Sequence, residues 1–306
     1  MNFEPDGDLA LFLDAVQRTA SRHGQHWVPA QQRHLHAPAL EQELEDSGYF
    51  GCIQEEGLGA LAAATMVYEL SRLPVCAELA ASALIGPVVC PAWPRPLAVL
   101  WGAADRPARF LPQARTVLQI QGDKVSAARL TAADVSPRES AFAYPMGVLR
   151  DAASLAWEPL PGADIAELTR LWRIGLAAEI AGCLQSALDA VVDHVRERRQ
   201  FGRPLGSFQA IQHRLAMAAS AIQGARWLML RAADTGSALD AATAAGYAQD
   251  IATRTSYDLH QFMGAMGLTL EHPLHRWTYR VKLLRSELGG AQMQFRSVAD
   301  LGFQGA

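Results

Sequence analysis

Residues 180–205 read IAGCLQSALDAVVDHVRERRQFGRPL, and in them Ile180, Leu184, Leu188, Val192 and Val195 recur at spacings of three and four. That stripe predicts one face of a helix long enough to sit in a bundle. The helix runs straight into two arginines and a glycine, Arg198-Arg199-Gln200-Phe201-Gly202-Arg203-Pro204-Leu205. Downstream, Ser207 is expected to cap a helix carrying Ile211, Leu215 and Ile222, and Ser237 with Asp240 makes a capping-box pattern ahead of an Ala-rich helix. Pro273 suits a first helical position and Gly289-Gly290 an exit, so the chain after Pro161 reads as about four long helices.

Upstream of that bundle the period changes. Thr116-Val117-Leu118-Gln119-Ile120-Gln121 and Lys124-Val125-Ser126-Ala127-Ala128-Arg129-Leu130 flank Gly122-Asp123, a two-residue hairpin signal. The β pattern ends near residue 160, too short for a doubly wound sheet. From Asp8 to Pro87 the pattern is helical again, with Leu9, Leu11, Leu13 and Val16 in a first helix and Leu61, Met66, Leu70 and Leu73 further on. Pro74, Pro87, Pro91, Pro94 and Pro96 punctuate it and place a boundary near residues 90–105. The expected layout is a mainly α chain: an N-terminal helical domain over 1–100, a reduced β domain over 101–160 and a helical bundle over 161–306.

Composition narrows the function. The chain has 306 residues, half of them hydrophobic, with 31 acidic against 27 basic residues and a formal charge of -4. No Lys/Arg cluster is long enough to track a phosphate backbone, so no nucleic acid partner is expected. The acidic start, Met1-Asn2-Phe3-Glu4-Pro5-Asp6-Gly7-Asp8, lacks the positive charge of a secretory leader, which leads to an expectation of a cytoplasmic protein. The apolar stretch Val75 to Trp93 holds Glu78 and is broken by Pro87 and Pro91, so no membrane span is expected there. Cys52, Cys76, Cys90 and Cys183 are far apart and fit reduced, buried thiols. His34 with His36, and His272 with His275, lack further ligands at a metal spacing, so no metal is expected. No Gly-x-Gly-x-x-Gly or Gly-x-Ser-x-Gly motif supports a Rossmann or hydrolase reading.

The run Arg198 to Leu205, followed by Phe208-Gln209-Ala210-Ile211-Gln212-His213, resembles the acyl-CoA dehydrogenase family. A second match lies at Gln261-Phe262-Met263-Gly264-Ala265-Met266-Gly267-Leu268-Thr269 and continues through Glu271-His272-Pro273-Leu274-His275-Arg276. Glu69-Leu70-Ser71-Arg72-Leu73-Pro74 adds weaker support. The resemblance implies an N-terminal helical domain, a middle β domain and a C-terminal four-helix bundle, with FAD as cofactor. It also implies that Arg198 and Gln200 face the FAD diphosphate, that Phe201 and Leu205 pack beside the flavin or adenine, and that Gln261 and Gly264 approach another part of the cofactor, all reaching across to the FAD of a neighbouring subunit. A guanidinium offers phosphate a planar fork of donors, a contact worth about 1.5–3 kcal/mol, so one arginine contributes without sufficing. The alternative for Arg198 and Arg199 is a solvated helix end.

Two departures stand out against that family. Its Thr/Ser-rich loop and Trp-containing strand in the middle domain are missing, and Trp157 is the one tryptophan assigned to the β segment. The family's commonest base position falls on Leu288, with Glu287 one residue earlier, and its alternative base position falls on Trp172. Glu167 and Glu179 read as solvated or paired helix residues. The expectation is therefore an FAD-completing, base-less subunit of an α2β2 heterotetramer that dehydrogenates an acyl-CoA, with a steroid side-chain thioester as an analogy-based guess. A second acyl-CoA dehydrogenase subunit and an electron-transfer flavoprotein would be its partners. Two alternatives stay open: a homomeric acyl-CoA or acyl-carrier-protein dehydrogenase using Glu287, and a structural or acyl-thioester-binding subunit without FAD contact.

Overall fold

The computed structural model describes residues 7–24 and 32–303. Three helices open the chain, α1 (Gly7–Gly24), α2 (Pro38–Asp46) and α3 (Gly59–Ser71), and a buried π turn, Ala81–Ile85, leads into the short α4 (Gly86–Val89). The bundle is α5 (Ile165–Glu197), α6 (Gln209–Thr235), α7 (Ala238–Met263), α8 (Leu274–Leu284) and α9 (Gly290–Phe303). Asp164 starts α5 by accepting from the Ala166 amide at 2.9 Å. At 33 residues α5 is long and apolar enough to cross a membrane, but 78% of that window is buried against α3, α6, α7 and α8. An all-round apolar helix of this kind is the axle of a core.

Between the helical parts lie two small sheets. One has the order β1 (Leu97–Trp101), β3 (Thr116–Gln121), β4 (Lys124–Arg129), β7 (Glu158–Pro159); the other has β2 (Ala108–Arg109), β6 (Met146–Leu149), β5 (Val135–Arg138). β1 runs parallel to β3, and β3 and β4 form the expected hairpin, with Gly122 at φ 62 in the turn. Alternation decides what each face covers: Leu97 and Leu118 join the helical core, whereas Ala98, Leu100 and Val117 pack against the second sheet. β1 is therefore covered on both faces, which explains its continuous apolar sequence. It also adds Trp101 to the β region, correcting the assignment of Trp157 as its one tryptophan.

Three capping expectations change. Phe208, not Ser207, is the N-cap of α6, and the Ser207 hydroxyl donates to the Pro204 carbonyl at 2.7 Å. Ser237 caps α7 by accepting from the Asp240 amide at 3.2 Å, but the Asp240 carboxylate turns to Thr235 and Arg231, so only half of the box forms. Pro273 is the N-cap of α8, one residue outside the helix, and Gly289 and Gly290 separate α8 from α9 at φ 83 and 70.

The N-terminal helices are tied to the bundle at the end of α3. Arg280 of α8 is 3% exposed and donates to the carbonyls of Ser71, Leu73 and Val75, while the Trp277 indole donates to Arg72 at 2.9 Å. These bonds satisfy carbonyls that a helix end leaves open. Alongside, Gly182 lets α5 lie directly on α3: a Cβ there would sit 2.3 Å from the Tyr68 carbonyl oxygen. Gly182→Ala is therefore expected to cost about 1–3 kcal/mol through overpacking, despite alanine's better helix propensity, as read by urea unfolding midpoints. A neutral or stabilising alanine would show that the helices separate freely. All four cysteines are buried and free, and burial pushes Cys52 and Cys76 up to about 12 and Cys90 and Cys183 to about 11, so none is a thiolate at neutral pH.

Candidate functional site

Where α5 ends, the chain makes a tight hairpin, β8 (Arg199–Gln200) against β9 (Arg203–Pro204), closed by the Leu205 amide donating to the Arg198 carbonyl at 2.8 Å. Phe201 and Gly202 form its tip at φ 54 and 79. Glycine adopts such a conformation freely, but a phenylalanine there is held against its preference. Opposite, α7 ends at Met263 and the chain turns out through Gly264 at φ 65, ψ -144, a conformation essentially reserved for glycine. Between these two helix ends lies a cavity of about 550 Å³.

The cavity gathers Arg198, Gln200, Leu205, Gln261 and Gly264, together with His194, Arg214 and the 262–263 and 265–266 positions. Five of the six residues singled out from the sequence are thus brought together from segments some sixty residues apart. Phe201 is the exception: it is 86% exposed at the hairpin tip, with its ring edge-on to Phe208 at 6.1 Å, and it does not line the cavity. Arg199 lies outside the wall as well.

Charge in the cavity is asymmetric. Arg214 is bonded to Asp258, which Arg254 also holds at 3.2 Å, and the Arg214 guanidinium stacks 5.0 Å from the Phe262 ring. Arg198 has no carboxylate partner among the described residues, and burial followed by the Arg198 charge lowers the His194 pKa, keeping that ring neutral. One free guanidinium, the Gln200 and Gln261 amides and an apolar wall of Leu205, Phe262, Met263 and Met266 make a donor set suited to a phosphate ester bearing a flat ring.

A second cavity, about 340 Å³, lies at the other end of α5 and contains Glu287. Glu287 is not the ordinary helix-end carboxylate that its sequence setting suggests. Its Oε1 is 2.9 Å from Arg109 Nε, and its Oε2 accepts from the Trp172 indole at 3.1 Å. Arg109, 7% exposed, also pairs with Glu179 at 2.8 Å and lies over the rings of Tyr144 and Trp172 at 5.2 and 5.1 Å. Of the two readings given for Glu179, solvated or paired, the structure has the second, with the carboxylate buried. Burial raises the Glu287 pKa, and the Arg109 charge only partly opposes it. Leu288, at the base position expected from the resemblance, lines the same cavity at φ 50. Arg109 had no signal in the sequence: its partners lie 70 or more residues away, and the surrounding Ala108-Arg109-Phe110 shows no period.

Among the described residues no group of three or more His, Cys, Asp or Glu side chains is placed to hold a metal ion. His36 is 2.9 Å from Glu41, and His275 bonds the His272 carbonyl at 2.8 Å.

Residues 165–302 match the model of the acyl-CoA dehydrogenase C-terminal domain. This C-terminal part, a little under half of the chain, is similar to such domains. It is 37% identical over 127 residues, 40% of this chain, to a probable acyl-CoA dehydrogenase, YngJ, of Bacillus subtilis, and that stretch spans 33% of the relative's length. Over nearly the full chain the fold is that of acyl-CoA dehydrogenases. The ChsE4-ChsE5 complex from Mycobacterium tuberculosis superposes with a TM-score of 0.76 at 20% identity, covering 98% of each chain. A variant of the Tcur3481-Tcur3483 steroid ACAD does so with a TM-score of 0.74 at 22% identity, covering 97% of this chain and 98% of that one. At such identities the likeness is one of fold.

Proposed function

We propose that this chain is the FAD-completing, base-less subunit of a heteromeric acyl-CoA dehydrogenase. The observation that supports the reading is the state of the family's two base positions: Leu288 and Trp172 cannot take a proton, and Glu287, one residue before Leu288, has its oxygens engaged by Arg109 at 2.9 Å and by the Trp172 indole at 3.1 Å.

In this reading Arg198 and Gln200 hold the diphosphate of an FAD bound chiefly by the partner, Gln261 and the open backbone at Gly264 meet its adenosine side, and Leu205 packs against the ring. The exposed Phe201 at the hairpin tip is placed to be covered by the partner. The partner supplies the flavin pocket and the carboxylate that takes the α-proton of the acyl-CoA. When bound, FAD accepts the β-hydride, leaving a 2,3-enoyl-CoA, and an electron-transfer flavoprotein carries the electrons away. Likeness to a steroid ACAD supports a bulky acyl group such as a steroid side chain.

Co-expression with a base-bearing acyl-CoA dehydrogenase partner chain should give a heterotetramer with one FAD for every two chains, whereas this chain alone should bind little FAD. A yellow homomer with one flavin per chain would overturn the reading. The homomeric alternative needs Glu287 as a base, yet both its oxygens are engaged by Arg109 and Trp172. Glu287→Gln is therefore expected to leave turnover of the complex within about twofold, since a general base typically contributes 10²–10⁴-fold. A fall of that size with FAD retained would make Glu287 the base.

A further inference from the structure

We infer that the groove between α7 and α8 is a binding site for a small carboxylate with a flat apolar body. The groove has a volume of about 330 Å³, and no residue of its wall lines either cavity described above. Two cations stand in it without a carboxylate. Lys282 and Arg285 both line the groove, no Asp or Glu does, and neither side chain has an ion-pair partner among the described residues. Lys282 Nζ instead lies over the Tyr279 ring, 5.5 Å from its centre, and Arg285 Nη1 reaches from the end of α8 to α7, where it donates to the Thr253 hydroxyl.

The donors meet at one level of the groove. Arg285 keeps helical angles at the end of α8, φ -62 and ψ -15, so it neighbours Lys282, three residues back, at about 5–6 Å between Cβ atoms. On the facing helix Ser256 stands in the same relation to Thr253, which holds the Arg285 head. The Ser256 hydroxyl is buried in the wall with no hydrogen-bond partner among the described residues, a donor that a bound oxygen would match. Beside these donors the wall is apolar and partly flat. Ala252 and Val281 are buried in it, and the Tyr279 ring stacks on His260 at 6.3 Å and 23°. The Thr278 hydroxyl fixes that imidazole at 2.8 Å, and burial first, then His275 and Lys282, lower its pKa and keep it neutral. Tyr257 and Leu268, 62% and 79% exposed, border the groove as apolar side chains left to cover a ring. A neutral molecule would leave the two cations unmatched, and an inorganic anion would leave the apolar wall uncovered. A volume near the lower end of ligand pockets suits one ring with its acid group. The inference does not rest on the flavin reading, because the groove shares no wall residue with the Arg198 cavity.

The test uses the full chain and ¹⁹F NMR of 4-fluorobenzoate, with 4-fluorobenzamide as the uncharged probe and fluoroacetate as the probe without a ring. The benzoate is expected to bind saturably, and each of the other two to be weaker by about fivefold or more, having lost either the charge contacts or the apolar face. Lys282→Gln combined with Arg285→Gln, both at exposed positions, should weaken the benzoate by about five- to twentyfold and leave the amide within about twofold. Ser256→Ala should weaken the benzoate by about two- to tenfold, as for one lost hydrogen bond. Arg296→Gln, which removes an exposed arginine of α9 outside the groove, should change neither probe. Should the double variant fail to fold, the wild-type contrast between acid and amide and the Ser256→Ala result still decide. Equal binding of acid and amide, unchanged affinity in the double variant, an equal loss with Arg296→Gln, or no saturable binding would overturn the inference.

Discussion

Replacing Arg109 by leucine is expected to destabilise the fold by about 3–5 kcal/mol, because it leaves the buried Glu179 and the largely buried Glu287 without their shared counter-charge. The stacking of the guanidinium between Tyr144 and Trp172 is lost as well. The deficit should depend on pH with a definite sign. Burial raises the Glu287 pKa, so the native state takes up that proton at higher pH than the unfolded chain does. Stability from this group is complete below the unfolded carboxylate range and is lost as pH rises through the folded value. Removing Arg109 raises the folded value further, so the variant's deficit should narrow toward about pH 5 and widen toward about pH 8. Urea unfolding at several pH values measures this, with an unchanged m-value confirming that stability alone has moved. Replacing all three residues by apolar ones should recover much of the loss, since a cavity wall of hydrocarbon needs no counter-charge. A deficit below about 1 kcal/mol at pH 8 would mean that water solvates the carboxylates and that the triad is not a closed unit.

What the sequence made legible follows from the range of each interaction. The axle helix shows in the stripe from Ile180 to Val195 because its period is local, and the β3–β4 hairpin shows in Gly122-Asp123 because a two-residue turn is a local constraint. β1 was hidden: Leu97-Ala98-Val99-Leu100-Trp101 has no alternation, being covered by helices on one face and by the second sheet on the other, and the prolines before it read as a boundary. The cofactor motif gave the identities of the cavity wall but not their directions. Leu205 turned inward and Phe201 outward because the hairpin tip needs two residues with positive φ, a property of the backbone that the side-chain pattern does not encode. Arg109 and Glu179 were beyond reach for another reason. A buried ion pair joining a β2 residue to the middle of α5 leaves no periodic trace at either end. The sequence left Glu179 as solvated or paired, and only the packing around α5 decides for the buried pair.

Arg198→Ala should weaken retention of FAD in the complex by about 1.5–3 kcal/mol, or roughly ten- to a hundredfold, as for one charge-assisted phosphate contact. The geometry separates it from its neighbour. Arg198 lines the 550 Å³ cavity as the C-cap of α5, whereas Arg199 begins β8 outside the wall, so Arg199→Ala should change retention less than threefold. Both side chains are exposed and neither has a carboxylate partner among the described residues, so the two variants lose equal charge and similar helix-end stabilisation. That makes Arg199→Ala the control for net charge, and unfolding midpoints of both variants control for stability. Because the clamp acts on a phosphate, the Arg198 contribution should also shrink between low and high ionic strength, as an exposed charge pair is screened over about 10 Å at 0.1 M salt. Flavin dissociation followed by absorbance at two salt concentrations gives all three quantities. Equal and negligible losses from both arginines would remove the cofactor clamp and leave a subunit whose role is structural.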